Sequence, residues 1–275
     1  MRVVAPRAAL AGLAGLAVVL AATAGCGGGG KGGDAKGGGP ETPMVVGNLP
    51  PLTQAQLEQA VVGPKDLKGW RTGTVQGRGG DGTEIPPTIP DVAKMPRISP
   101  AACEPLYDMT MMLSRQQYHG VVEQQLTPAD DGSDSSDGSD SSGGADGADG
   151  GMMSLKSYTG PDAARLMADL RTSLRTCTSF KSLEEGESWG SPKRLADPKA
   201  GDEALSYHLV QTVPSVDKNG DDDGGPAVDA LFTFVVVRSG STVLAAYSVP
   251  GAGKDYPEFP MDVITAQVTK LAAVH

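Results

Sequence analysis

Residues 186–190 read GESWG, the G-x-S-x-G spacing of a nucleophile elbow, in which a strained strand-to-helix turn exposes a serine hydroxyl. Activating Ser188 would take an acid and a later histidine, because a hydroxyl attacks poorly until a base removes its proton. The later histidines are His208 and the terminal His275, and Pro192 in the polar run SPKR opposes a helix directly behind the serine. The chain holds 38 glycines, so a chance match is favoured over a hydrolase and no catalysis is expected. A second pattern, DKNGDDD at 217–223, sets Asp217, Asn219, Asp221 and Asp223 at the alternate-residue spacing of a calcium loop. Its sixth position is Asp222 where a glycine is needed and its twelfth is Val228 where a glutamate is needed, which favours a solvated turn. His119, His208 and His275 stand at no ligand spacing, and Glu184, Glu185 and Glu187 read as a solvated charge run. No metal and no cofactor are expected.

The remaining reactive groups are three cysteines, Cys26, Cys103 and Cys177. Cys26 ends a segment in which Arg2 and Arg7 precede the apolar run 8–25, AALAGLAGLAVVLAATAG, a charged-then-apolar layout of export signals. Small residues Thr23, Ala24 and Gly25 before the cysteine are similar to a bacterial lipoprotein signal, with Thr23 where leucine is usual. The reading is a signal peptide over 1–25 and a lipidated Cys26 as the first mature residue. The alternative is an uncleaved single-span anchor, since about 18 apolar residues just cross a bilayer. Residues 26–48 follow as a Gly-rich tether with too little apolar surface to fold.

Net charge is −10, and −12 once Arg2 and Arg7 leave with the signal. Seven aspartates in 129–151 and four in 217–223 carry most of it, so an acidic insert at about 128–151 is expected to stay disordered. No basic stripe with interleaved aromatics exists, which argues against a nucleic-acid partner.

What must position any site is a domain over 49–275. The spacing predicts a helix over 52–62 with Thr53 and Gln56 as a capping box, and a strand over 70–76. A second helix is expected from about Ala101, carrying Cys103, Leu106, Tyr107, Thr110 and Leu113 on one face. Strands are expected at 118–126 and 152–159, joined by the acidic insert, then a helix over 161–177. Strands at 204–213, 230–238 and 242–249 follow, the middle one central because LFTFVVV is apolar on both alternations. A closing helix spans 261–274 with Ile264, Val268 and Leu271 inward. Hairpin strands interrupted by helices predict an α+β domain with an antiparallel sheet and helices packed on it.

Cys103 and Cys177 both fall on apolar helix faces, and in an oxidising compartment that favours a disulfide over two buried free thiols. Closing that loop would stabilise the fold by up to about 4 kcal/mol in the chain-entropy model. Trp70, Trp189, Tyr256 and Phe259 are the aromatic candidates for lining a ligand cleft, with core packing as the alternative for each.

Four segments carry a family resemblance: the run Ala101-Ala102-Cys103, SYTGPDAARLMADLRTSLRTC at 157–177, GDEALSYHLV at 201–210, and FVVVRSGSTVLAAYSV before the last helix. In these the chain resembles the extracytoplasmic sensor domains of mycobacterial PknH-type receptor kinases and related actinobacterial lipoproteins. Such domains usually have a second disulfide and a tryptophan just before the later cysteine, where this chain has Arg175 and Thr176. The resemblance implies an exported ligand-binding or sensing module on the outer face of the cell membrane, with a cleft beside the sheet. The expected partners are the membrane, through the lipid anchor, and a small ligand. A structural or protein-interaction lipoprotein docking an envelope protein is the alternative.

Overall fold

The computed structural model describes residues 49–75, 77–78, 84–85, 91–129, 150–184, 186–215, 224–248 and 255–274, all within the unit Met44–His275. Cys26, the signal and tether, both acidic runs (130–149 and 216–223), Glu185 and His275 lie outside the described residues.

The strands are β1 (Trp70–Thr74), β2 (Gly77–Arg78), β3 (Glu84–Ile85), β4 (Ile98–Ser99), β5 (Gly120–Pro128), β6 (Gly151–Ser157), β7 (Ser179–Ser182), β8 (Ser188–Arg194), β9 (Glu203–Val213), β10 (Val228–Ser239) and β11 (Thr242–Ser248). The helices are α1 (Gln54–Ala60), α2 (Glu104–Thr110), α3 (Gly160–Thr176) and α4 (Met261–Ala272). Nine strands form one antiparallel sheet in the order β1-β5-β6-β11-β10-β9-β8-β7-β4, and β2 pairs with β3 separately. This is the α+β class the alternation predicts.

Period-two side chains divide the core into two layers. One face of the sheet presents Tyr207, Leu209, Phe234 and Val236 to α2 and α3, through Leu106, Tyr107, Met167 and Leu170. The other presents Val235, Val237, Leu244 and Ala246 to α1 and α4, through Leu57, Val263, Ile264 and Leu271. β10 feeds both layers, which is why its sequence is apolar on both alternations.

Local chemistry sets the helix ends. Thr53 and Gln56 close the capping box of α1 reciprocally, and the Thr159 side chain accepts from the Asp162 amide at the start of α3. Buried Gln267 of α4 donates to the Ala60 carbonyl and accepts from the Val62 amide, fastening α1 to α4.

Three expectations change. Helix α2 ends at Thr110 rather than continuing to Leu113, and Ala101–Cys103 is a separate 3-10 turn before it. Cys103 and Cys177 are joined, Cα atoms 5.8 Å apart, yet they stand at the cap positions of α2 and α3 and not on helix faces. Residues 179–182 and 188–194 form β7 and β8, strands that the sequence pattern does not predict. Their pattern is obscured by a bulge between Gly190 and Lys193, where Ser191 adopts φ of 51° and Pro192 cannot donate to the ladder.

Candidate functional site

Among the described residues, a cavity lies on each face of the sheet. The larger, of about 610 Å³, is a groove on the α4 face, floored by Ser206, His208, Thr233 and Val235 of β9 and β10. Its walls are 195–198 and the segment Tyr256 to Met261 that leads into α4. The His208 imidazole and the Tyr256 ring are stacked in nearly parallel planes, centroids 3.7 Å apart. Burial, aided by the Lys193 charge, lowers the His208 pKa below its ordinary value, so the imidazole is neutral at neutral pH. Thr233 is 5% exposed, and neither its Oγ1 nor His208 Nδ1 has a hydrogen-bond partner among the described residues. Ser206 Oγ is committed, donating to the Phe234 carbonyl at 3.1 Å. The groove is therefore mainly apolar, with a ring wall, two uncommitted polar atoms at its base, and Asp197, paired with Arg194, and Glu258 on its walls.

The four aromatic candidates do not converge. Tyr256 and Phe259 line the groove. Trp189 is buried on the opposite face, stacked parallel to Phe180 and tilted against Phe232. Trp70 packs against the α4-side core from the far edge strand, β1. Which face an aromatic reaches depends on strand register, and a one-residue difference reverses it.

The smaller cavity, of about 230 Å³, lies between α2 and α3, bordered by Glu104, Asp108, Ser114, Arg115, Gln116 and Asp169 among others. Asp108 Oδ2 accepts from the Arg115 amide at 3.2 Å, and Arg115 Nη2 donates to the Pro96 carbonyl at 2.6 Å. Burial pushes the Asp108 carboxyl up to about 6 against the opposing pull of Arg115. Behind it, Lys156 of β6 donates to the Met112 carbonyl at 2.6 Å and to Ser154 Oγ at 2.5 Å, with Glu123 3.6 Å away. Burial pulls this ammonium down to about 8. Met112 adopts φ of 49°, uncommon for a long side chain, and its carbonyl is held by Lys156.

Ser188 opens strand β8 in register with Thr212 and Lys181, so it stands on a ladder and not on a strand-to-helix turn. His208 pairs with Lys193 further along the same ladder. Glu184 accepts from the Arg97 amide and Nε, both at 2.7 Å, an ordinary ion pair joining the ends of β4 and β7. No cluster of metal-ligating side chains occurs among the described residues.

The fold defined here is an antiparallel sheet layered between two helix pairs. The chain is similar to the extracellular domain of PknH from Mycobacterium tuberculosis, at 8% identity and a TM-score of 0.40, over 82% of this chain and 97% of that one. It is also similar to the Rv0999 ortholog from Mycobacterium smegmatis, at 14% identity and a TM-score of 0.30, over 80% of this chain and 94% of that one. No family model matches the chain, and no curated protein sequence matches it.

Proposed function

We propose that the protein is a lipid-anchored extracytoplasmic lipoprotein whose domain is a ligand-binding, sensor-like accessory module. The observation that carries this reading is the α4-side groove: about 610 Å³, mainly apolar, with a stacked ring pair and two buried polar atoms that make no hydrogen bond among the described residues. Concave, largely apolar sites with a few convergent polar groups are where small molecules bind. The two uncommitted atoms at the base, Thr233 Oγ1 and His208 Nδ1, suit a hydroxyl or amide on an apolar body, and the carboxylates Asp197 and Glu258 on the walls disfavour an anion.

Export is supported by the signal-like run before Cys26 and by the Cys103–Cys177 disulfide, since disulfides persist in oxidising compartments. No helix among the described residues is long and apolar enough to cross a membrane. An acylated Cys26 would supply the anchor, each buried methylene holding by about 0.8 kcal/mol.

Non-denaturing mass spectrometry of the full chain extracted from membranes tests both parts. The expected spectrum is a chain beginning at Cys26 with acyl mass, carrying a small molecule that Thr233→Ile or Tyr256→Ala releases. An unacylated chain overturns the anchor. A spectrum with no bound molecule, or one unchanged by both substitutions, overturns the groove.

A further inference from the structure

We propose that the cavity between α2 and α3 is a second binding site, specific for a small organic cation that carries N–H donors, such as a primary ammonium. This goes beyond the groove reading and does not depend on it.

Three carboxylates border the space of about 230 Å³, Glu104 and Asp108 from α2 and Asp169 from α3, against the single cation Arg115. That guanidinium is engaged already, by the Pro96 carbonyl and by Glu104 and Asp108 at 3.5 and 3.3 Å from its Nε. The surplus charge is negative, which repels anions. Asp108 is only 5% exposed, and among the described residues its Oδ1 receives no hydrogen bond. Gln116 Oε1, on the same cavity, is a buried acceptor in the same condition. Among the described residues Gln116 Oε1 has no hydrogen-bond partner and Asp108 Oδ1 only the long Arg115 Nε contact at 3.3 Å, so a ligand bringing N–H groups would satisfy both. A neutral apolar ligand would bring a donor to neither acceptor, and a quaternary ammonium would supply charge without donors. Leu166, Met109 and Pro105 complete the lining and suit a short alkyl body.

The walls are held at a set separation. The Cys103–Cys177 disulfide ties the start of α2 to the end of α3, and Ser173 Oγ donates to the Ala102 carbonyl at 2.7 Å.

Asp108 is faced by Glu104 on its own helix, Arg115 on the following loop, Asp169 across the cavity on α3, and Tyr158 and Lys156 at the end of β6, with Glu123 of β5 beyond the lysine. Because the cation prefers the ionised carboxyl, affinity should fall about tenfold from pH 7 to pH 5 as a group titrating at about 6 takes up its proton.

Calorimetry on the full chain with n-butylammonium at pH 7.5 tests the site. Saturable binding in the millimolar range or tighter is expected, at least about tenfold stronger than tetramethylammonium. Asp108→Asn should weaken it about tenfold or more, and Glu104→Gln about threefold. The groove variant Thr233→Ile should leave it unchanged, so either site can fail without the other. No saturation by about 20 mM, equal binding of tetramethylammonium, or indifference to the substitutions overturns the proposal. Should Asp108→Asn fail to fold by circular dichroism, Glu104→Gln and Gln116→Leu decide the matter.

Discussion

Arg238 and Arg115 each sit among carboxylates where a helix meets the sheet, and the fold treats them in opposite ways. Around Arg238 the partners are committed. Its Nε donates to Glu203 Oε1 at 2.6 Å, and its Nη1 donates to Asp202 Oδ2 at 2.9 Å and to the Gly240 carbonyl at 3.1 Å. Arg171 of α3 donates to the other Glu203 oxygen, and the Gly240 amide donates to Asp202. The turn bringing Asp202 there depends on Gly201, at φ of 60°, where a Cβ would stand 2.4 Å from the Arg238 carbonyl oxygen. Burial pushes the Glu203 carboxyl up, but its bonds from Arg238 and Arg171 outweigh that and hold it below its ordinary value. Around Arg115 the balance reverses: burial wins at Asp108, Arg115 Nε and Asp108 Oδ1 meet only as a long ion pair at 3.3 Å without a hydrogen bond, and Gln116 Oε1 has no hydrogen-bond partner among the described residues. Fully hydrogen-bonded charge is a structural joint, whereas charge held only by a long ion pair beside a cavity is capacity for a ligand.

The largest effect should come from breaking the committed cluster. Arg238→Met leaves Asp202 and Glu203 without their shared partner and should destabilise by about 3–5 kcal/mol in urea unfolding. Losing the disulfide through paired Cys103→Ala and Cys177→Ala should cost about 2–4 kcal/mol by the same measurement, and should also weaken n-butylammonium binding by loosening the cavity walls.

Glu203→Gln and Asp108→Asn should then show opposite pH profiles. Glu203 has a lowered carboxyl, so it contributes stability above its unfolded value and loses it as pH falls through the folded one. The Gln variant should be less stable by about 1–2 kcal/mol at pH 7 and converge with the parent in acid. Asp108 has a raised carboxyl, so the parent loses stability as pH rises from about 4 through about 6. Asp108→Asn should escape that loss and be as stable as the parent, or more so, at pH 7.5 in guanidinium unfolding. The smallest effect belongs to the exposed pair Lys94–Asp91, where Lys94→Ala should change stability by less than about 0.5 kcal/mol.

Much of the architecture was written locally and so could be read locally. Thr53 with Gln56 signals the start of α1, LFTFVVV a strand buried on both faces, and the spacing of Ala163, Met167, Leu170 and Leu174 the buried stripe of α3. β4, β7 and β8 escaped because their identity lies in pairing: β4 has two residues, and Ser191 and Pro192 interrupt the alternation of β8. The sites were harder still. Tyr256 and Phe259 were singled out and line the groove, but Ser206 and Thr233 were not, and His208 was weighed only as a catalytic or metal-binding residue, although Thr233 stands alone between Phe232 and Phe234 and Ser206 and His208 alternate with apolar residues of β9. Asp108 between Tyr107 and Met109 was a similar signal, a charge on an otherwise apolar stretch, whereas Lys156 sits among Ser154 and Ser157 in β6 and only the tertiary packing buries it.

The most direct test is carboxyl carbon NMR of the full chain, titrated from pH 3 to pH 8 with and without n-butylammonium. The account predicts that Asp108 titrates near 6 alone and moves down when the amine is present, while Glu203 stays below the ordinary glutamate value in both series. An Asp108 midpoint at the ordinary aspartate value or lower without the amine, or one that the amine does not move, would contradict it.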